Sequence, residues 1–267
     1  MQFGRDTFYR YLQEAPLPLA LERALECDIL QRQEFARPIL DVGCGDSIFA
    51  SRVFDERIDV GLDPNGVEID RARTYGAYDE LIESTGDKIP KPDGTFKTIF
   101  SNSVLEHIED LGPVLDEMHR VLASDGVVYL TLPTEKFEEH TVAYQALSLL
   151  GLRATARSYA RHFNRFWRHF HAYPVEDWAK LFNEHEFEVS QRIEYCPRAI
   201  GVLDDALAPL CLPNFLAKKT LNRWFVWPKL RSLSAYLPYF MFKSCAKVDP
   251  DMRSGGLVFF ALRKAKS

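Results

Sequence analysis

The sequence predicts an α/β fold, with an open and mostly parallel sheet covered by helices. Three observations predict it. Short apolar runs alternate with helical patterns from Pro38 to Pro133, the signature of consecutive strand–helix units. Within them, Ile39-Leu40-Asp41-Val42-Gly43-Cys44-Gly45-Asp46-Ser47-Ile48-Phe49-Ala50 ends a strand, bends through two glycines and restarts as a helix. Hydrophobic residues make up 46% of the 267 positions, enough for a large core and too many for a disordered chain.

Residues 7–36 read as helical and peripheral, interrupted at Pro16 and Pro18. Leu21, Leu25 and Ile29 share one face, expected to pack or to act as a lid. The first strand, Pro38–Val42, leads through the glycine bend into a helix over Ser47–Phe54 with Asp46 as its N-cap. Such a bend leaves bare main-chain amides at the carboxyl end of a strand, where a nucleotide-like ligand can lie. The second strand, Ile58–Leu62, ends at Asp63, with Pro64 where a helix starts. An acid there is placed to accept hydrogen bonds from both hydroxyls of a ribose; the plainer alternative is a cap on the helix from Pro64. Asp79–Glu83 reads as the third strand, and turn formers fill Thr85–Thr95. Phe96–Ser101 is the fourth strand, with Asn102–His107 at its carboxyl end. Leu111, Val114, Leu115, Met118, Val121 and Leu122 set a helix over Asp110–Leu122, and Ser124-Asp125-Gly126 turns the chain into a fifth strand, Val127–Leu132.

The net charge of -5 is unevenly spread. Between Gly151 and Tyr173 there are five arginines and no acid, and between Ala206 and Val248 seven Lys or Arg and again no acid. Arg153, Arg157, Arg161, Arg165 and Arg168 fall on one helical stripe, interleaved with Phe163, Phe166, Trp167 and Phe170. The second segment mixes Lys218, Lys219, Arg223, Lys229, Arg231, Lys243 and Lys247 with Trp224, Phe225, Trp227, Tyr236, Tyr239, Phe240 and Phe242. Basic aromatic helices suit an anionic membrane surface or a phosphate-bearing acceptor; a solvated face paired with acids elsewhere is the alternative. The acidic overall balance and the lack of a recognition motif argue against nucleic acid. Cys27, Cys44, Cys196, Cys211 and Cys245 include no C-x-x-C pair, which points to a reducing compartment and no metal site. MQFGRDTFYR has no apolar core, and no uncharged apolar stretch reaches the ~18 residues that span a bilayer. The expected location is cytoplasmic, with peripheral membrane contact through the basic aromatic segments. The oligomeric state is not legible.

Five phrases recur in a fixed order. They are Leu40-Asp41-Val42-Gly43-Cys44-Gly45, Ile89-Pro90, Asp93-Gly94-Thr95-Phe96, Ser101-Asn102-Ser103-Val104-Leu105-Glu106-His107, and Arg120-Val121-Leu122 before Asp125-Gly126. In order and spacing they resemble class I S-adenosylmethionine-dependent methyltransferases, most of all the small-molecule type 11 group with its ubiquinone-biosynthesis-like enzymes. Trp178–Phe182 and Phe187–Val189 resemble that family's late helix and sixth strand, and Gly256–Leu262 its antiparallel seventh. The resemblance implies a Rossmann-like doubly wound sheet of about seven strands, mostly parallel with an antiparallel last strand, plus helical cap insertions. In one domain, 1–36 would be an N-terminal helical cap and 37–133 the cofactor-binding core. Residues 134–173 would be a basic helical insertion, 174–196 a core helix and strand, 197–253 a basic and aromatic insertion, and 254–267 the last strand and tail.

The same resemblance implies S-adenosylmethionine as cofactor. Asp41, Gly43 and Gly45, with Cys44 between them, would line its methionine end. Asp63, followed by Pro64, would hold the ribose; Gly86 and Asp87 would lie beside the adenine. Asn102 and Ser103 would open the loop near the sulfonium. Ser47 departs from the third glycine of the family pattern, Thr85 from a usual acid, and Lys97 from a usual Asp. The acceptor would be a small or lipid-like molecule, anionic if the basic segments bind it, with oxygen the expected methylated atom. A hydroxyl acceptor needs a base, for which His107 and His140 are candidates; Arg161, Arg165, His169 and Tyr173 are candidates to contact the acceptor. A nicotinamide oxidoreductase would show G-x-G-x-x-G, but the sixth position is Ile48. A non-catalytic binding protein on the same fold is the other alternative, opposed by the intact Asp41, Gly43, Gly45 and Asp63.

Overall fold

Seven strands build one sheet: β1 Ile39–Val42, β2 Ile58–Asp63, β3 Tyr78–Glu83, β4 Phe96–Asn102, β5 Leu122–Pro133, β6 Phe187–Pro197 and β7 Gly255–Lys264. Their order is β3-β2-β1-β4-β5-β7-β6. β1 to β5 pair in parallel, and β7 runs antiparallel to both β5 and β6. The computed structural model describes all residues except 5, 222–223, 226–230, 232–233 and 266–267, and not the side chains of Phe166 and Leu221. Arg223, Trp227 and Lys229 therefore lie outside the described residues.

The helices are α1 Thr7–Glu14, α2 Leu17–Leu30, α3 Ile48–Val53, α4 Gly66–Tyr75, α5 Gly112–Val121, α6 Val142–Leu149, α7 Arg153–Trp167, α8 Val175–Glu184, α9 Arg198–Leu207, α10 Leu212–Leu221 and α11 Tyr236–Phe242. Side chains alternate across the sheet, as the period of two demands. Val127 and Tyr129 join the core that holds α1, α2 and α3, whereas Val128, Leu130 and Leu132 join the one that holds α5 and α8.

Several boundaries differ from the sequence expectation. The helix after the glycine bend starts at Ile48, because Asp46 Oδ1 accepts the Ile48 amide (3.2 Å) while Ser47 takes a left-handed φ of 63° as the capping residue. The helix after β2 starts at Gly66 rather than Pro64, because the Asn65 side chain accepts the Val67 amide at 3.1 Å. Leu122 opens β5 instead of closing α5. The N-terminal segment is not peripheral: Leu21, Leu25 and Ile29 of α2 are fully buried, each worth roughly 1.5–3 kcal/mol. α2 thus lies against the sheet and brings its polar residues to the strand ends.

Candidate active site

Two surfaces meet at the glycine bend. Gly43 and Gly45 have φ of 84° and 50°, a region that L side chains avoid. A Cβ on Gly43 would stand 2.5 Å from Val104, whereas one on Gly45 would meet nothing within 4 Å. The space beside Gly45 is open, and any side chain there would fill it. On one side of the bend a cavity of about 540 Å³ is lined by Gly43, Asp63, Pro64, Gly86, Asp87 and His107 among others. On the other side one of about 220 Å³ is lined by Asp41, Gly43, Cys44, Gly45, Asn102 and Arg23 among others. A third, of about 380 Å³ and mostly apolar, takes in Ser103, Glu106, His107, Phe163, Trp167 and His169. His107 borders the first and third; Arg23, Leu19 and Trp224 border the second and third. A further cavity, about 850 Å³ between α1 and Lys247, touches none of these residues.

Asp63 does more than face the crevice. Its Oδ2 accepts the Gly45 amide at 3.0 Å and its Oδ1 the Asn65 amide at 2.8 Å. It therefore both fixes the bend and caps the following turn, with one lone pair left on each oxygen. Burial pushes the Asp41 carboxyl up to about 7, although the Tyr78 hydroxyl donates to it.

Behind the third cavity sits a polar knot that sequence reading missed. Glu26 of α2 is fully buried and accepts from Arg23 (2.6 Å), Asn102 Nδ2 (2.8 Å), Ser103 Oγ (3.0 Å) and Tyr195 (3.5 Å). Asn102 and Ser103 are thus held by α2, and Thr131 completes the Asn102 side chain by donating to its oxygen at 3.0 Å. The available signal was Glu22-Arg23 and Glu26 within a mostly apolar helix, since spacings of three and four put all three on one face.

The catalytic candidates separate. His107 sits on the 3-10 turn Leu105–His107 after β4, with Nδ1 3.2 Å from the Arg168 carbonyl. A carbonyl only accepts, so Nδ1 carries the proton and Nε2 keeps its lone pair. Burial lowers the His107 pKa. His169 packs against it with the rings tilted by 50° and 5.0 Å between centroids, and is pushed down to about 4 by burial and by His107. Glu106 is 3% exposed with Oε2 unpartnered, and burial pushes it up to about 8. Ligand atoms of Glu106, His107 and His169 lie within 4.8 Å of one another, a spacing that a divalent ion could bridge.

His140 is not at the site. It is buried against Gly201 and Gly256, where a Cβ would approach it to 2.7 and 3.0 Å. Three of the four acceptor candidates are also misplaced. Arg161 and Arg165 are exposed because α7 turns Ala156, Ala160 and Phe163 inward instead. Tyr173 is a strut: its hydroxyl meets His171 Nδ1 at 2.6 Å and its ring packs on Trp178. Of that set His169 alone lines the cavity. The polar wall is acidic, with Glu22, Glu106, Asp204 and Asp205; Glu22 is pushed up to about 7 and Asp204 to about 8, both by burial. Arg23 is already committed to Glu22 and Glu26. From the second insertion, Lys218 pairs with Asp46 and so folds α10 over the glycine bend.

A family model described as a methyltransferase domain matches residues 9–192. A malonyl-[acyl-carrier protein] O-methyltransferase of Legionella pneumophila is 29% identical over 117 residues, 41% of each chain. A sterol 24-C-methyltransferase of Pneumocystis carinii is 33% identical over 119 residues, 41% of this chain and 32% of that one. The chain thus spans less than half the length of these curated relatives. A methyltransferase structure from Thermotoga maritima superposes with a TM-score of 0.55 at 14% identity, covering 92% of this chain and 89% of the other, a likeness of fold.

Proposed function

Because the chain belongs to the methyltransferase-domain family, whose methyl donor is S-adenosylmethionine, we propose that it methylates a neutral hydroxyl on an apolar, lipid-like small molecule. Family membership sets aside the nicotinamide alternative. The observation that carries the reading is that the three cavities adjoin: the first two share Gly43, His107 stands between the first and third, and Arg23 and Trp224 between the second and third.

The cofactor supplies a sulfonium-bound methyl, already electrophilic, so the protein must mainly align a nucleophile and exclude water. Asp63 would take the ribose hydroxyls on its two free lone pairs. Gly86 and Asp87 would border the adenine, and Pro64 the ribose edge. Asp41, Cys44, Gly45 and Asn102 would line the methionine end, where a buried carboxyl at Asp41 suits an ammonium partner. Phe163, Trp167, Phe215 and Trp224 would hold the acceptor's apolar body. His107 Nε2 would take the hydroxyl proton as the methyl arrives. The acidic wall disfavours an anionic acceptor and Arg23 is spent, which supports a neutral group. A cytoplasmic location remains part of the proposal.

Calorimetry with S-adenosylhomocysteine, NAD and the Asp63→Ala variant tests the cofactor half. The wild type should bind S-adenosylhomocysteine and not NAD. Loss of two charge-assisted hydrogen bonds should weaken binding by on the order of a hundredfold. Unchanged affinity in the variant would remove the ribose assignment.

A further inference from the structure

We infer that α7 and α10 form a membrane-facing rim, and that the acceptor is a lipid entering the third cavity directly from an anionic bilayer. This rests on the reading of that cavity as the acceptor site. From Arg198 to Thr220 the chain is helical for 23 residues and apolar enough by length and composition to cross a membrane, yet only 6% of its most apolar 18-residue window is buried. It does not read as a span, because its two acidic residues turn toward the protein. Asp204 lines the cavity, and Asp205 accepts the Val142 amide at 2.8 Å. Its outer side carries Leu210, Leu212 and Leu216, 75%, 60% and 56% exposed.

The cavity opens at this surface. Trp167 at the end of α7 and Phe215 on α10 line it, lie 6.4 Å apart between ring centroids and are both well exposed. α7 adds the exposed Arg153, Arg157, Arg161, Arg165 and Arg168, and among the described residues none of them makes an ion pair. Exposed Leu149, Leu150 and Leu152 precede the helix, and Lys219 follows on α10. Leucines beside unpaired cations match the boundary between acyl chains and anionic headgroups. A soluble partner would not require the mouth of an apolar cavity to open within such a rim.

The test is flotation of the full chain with phosphatidylcholine vesicles and with vesicles of phosphatidylcholine and phosphatidylglycerol, at low and physiological salt. The wild type should float with the mixed vesicles and lose binding as salt rises. Arg157→Ala, Arg161→Ala and Arg165→Ala together should weaken partitioning by on the order of a hundredfold. Leu210→Ser with Leu216→Ser should abolish it. Both sets should keep wild-type S-adenosylhomocysteine affinity, which reports the fold and the cofactor site independently of the membrane. Failure to float at low salt, or floating that neither set alters, would overturn the inference. So would light scattering that shows a dimer which the leucine variants split, since the face would then bind a second copy.

Discussion

The crevice proposed for the cofactor and the cavity proposed for the acceptor share walls but are made of different material. The crevice is backbone: two glycines at positive φ, an amide held by Asp63, and open space where a side chain would stand. The acceptor cavity is side chain, gathered from α2, the turn after β4, α7, α9 and α10, segments scattered over two hundred residues. A backbone site tolerates no added atoms and repeats from protein to protein, while a side-chain cavity can be rebuilt one residue at a time. The largest predicted effect follows from that contrast. Gly45→Ala meets no atom within 4 Å but is strained at φ 50°, so it should cost about 1–2 kcal/mol of stability. By intruding on the crevice it should lower cofactor affinity by on the order of a hundredfold, with a cooperative melting curve showing that the variant is still folded. Calorimetric affinity within tenfold of wild type would mean that the open space is not the cofactor's.

At the shared wall, His107→Asn should lower kcat by about a hundredfold with little change in cofactor affinity. The pH profile gives the sign. Burial lowers the pKa of His107, so the neutral, proton-accepting form persists below its usual value of 6.5. Rate should therefore fall only as the pH drops past that point, and the variant should lose this limb. A wild-type profile that is flat on the acid side would assign the proton elsewhere.

How much could be read from the sequence follows the same division. The glycine bend, Asp63 and the order of the first five strands were legible because each is local: a turn needs glycine, and a strand end needs an apolar run to stop. The acceptor side was not. The arginine stripe was read as a stripe correctly, yet periodicity cannot say which face of a helix turns inward, and α7 buries Ala156 and Ala160 and turns Phe163 to the cavity. Arg23 and Glu26 were not singled out, because their partners Asn102, Ser103 and Tyr195 are far away in sequence. His140 looked as good as His107, since both follow a strand.

Smaller effects sharpen the comparison. Phe163→Ala should raise the acceptor KM about tenfold by removing an apolar wall, with cofactor affinity within twofold of wild type. A fall in cofactor affinity instead would merge the two halves into one site. Stability should show the acidic wall as well. Glu106 at about 8, Asp204 at about 8 and Glu22 at about 7 all lie above the values that their unfolded forms take. The folded state holds these protons more tightly, so their contribution is complete below about pH 4 and is lost as the pH rises through about 8. Relative to Glu106→Gln, the wild type should lose several degrees of melting temperature from pH 5 to pH 8.5, a comparison that cancels the opposite contribution of the buried His107 and His169, whose lowered pKa values add stability as the pH rises. The same pH dependence in variant and wild type would contradict the burial of the Glu106 carboxyl.

The smallest effect expected is none at all, and it decides what His107 does. Its Nε2 lone pair lies near Glu106 and His169, so the same geometry that suits a base would also suit a ligand to a divalent ion. The two roles exclude each other, since a lone pair committed to a metal cannot take a proton. If His107 is the base, incubation with EDTA and desalting should leave the methylation rate unchanged, and added Zn²⁺ should inhibit by occupying the lone pair. If chelation removes activity and Zn²⁺ or Mn²⁺ restores it, the imidazole holds a metal, and the acid limb of the pH profile would belong to a metal-bound hydroxyl instead.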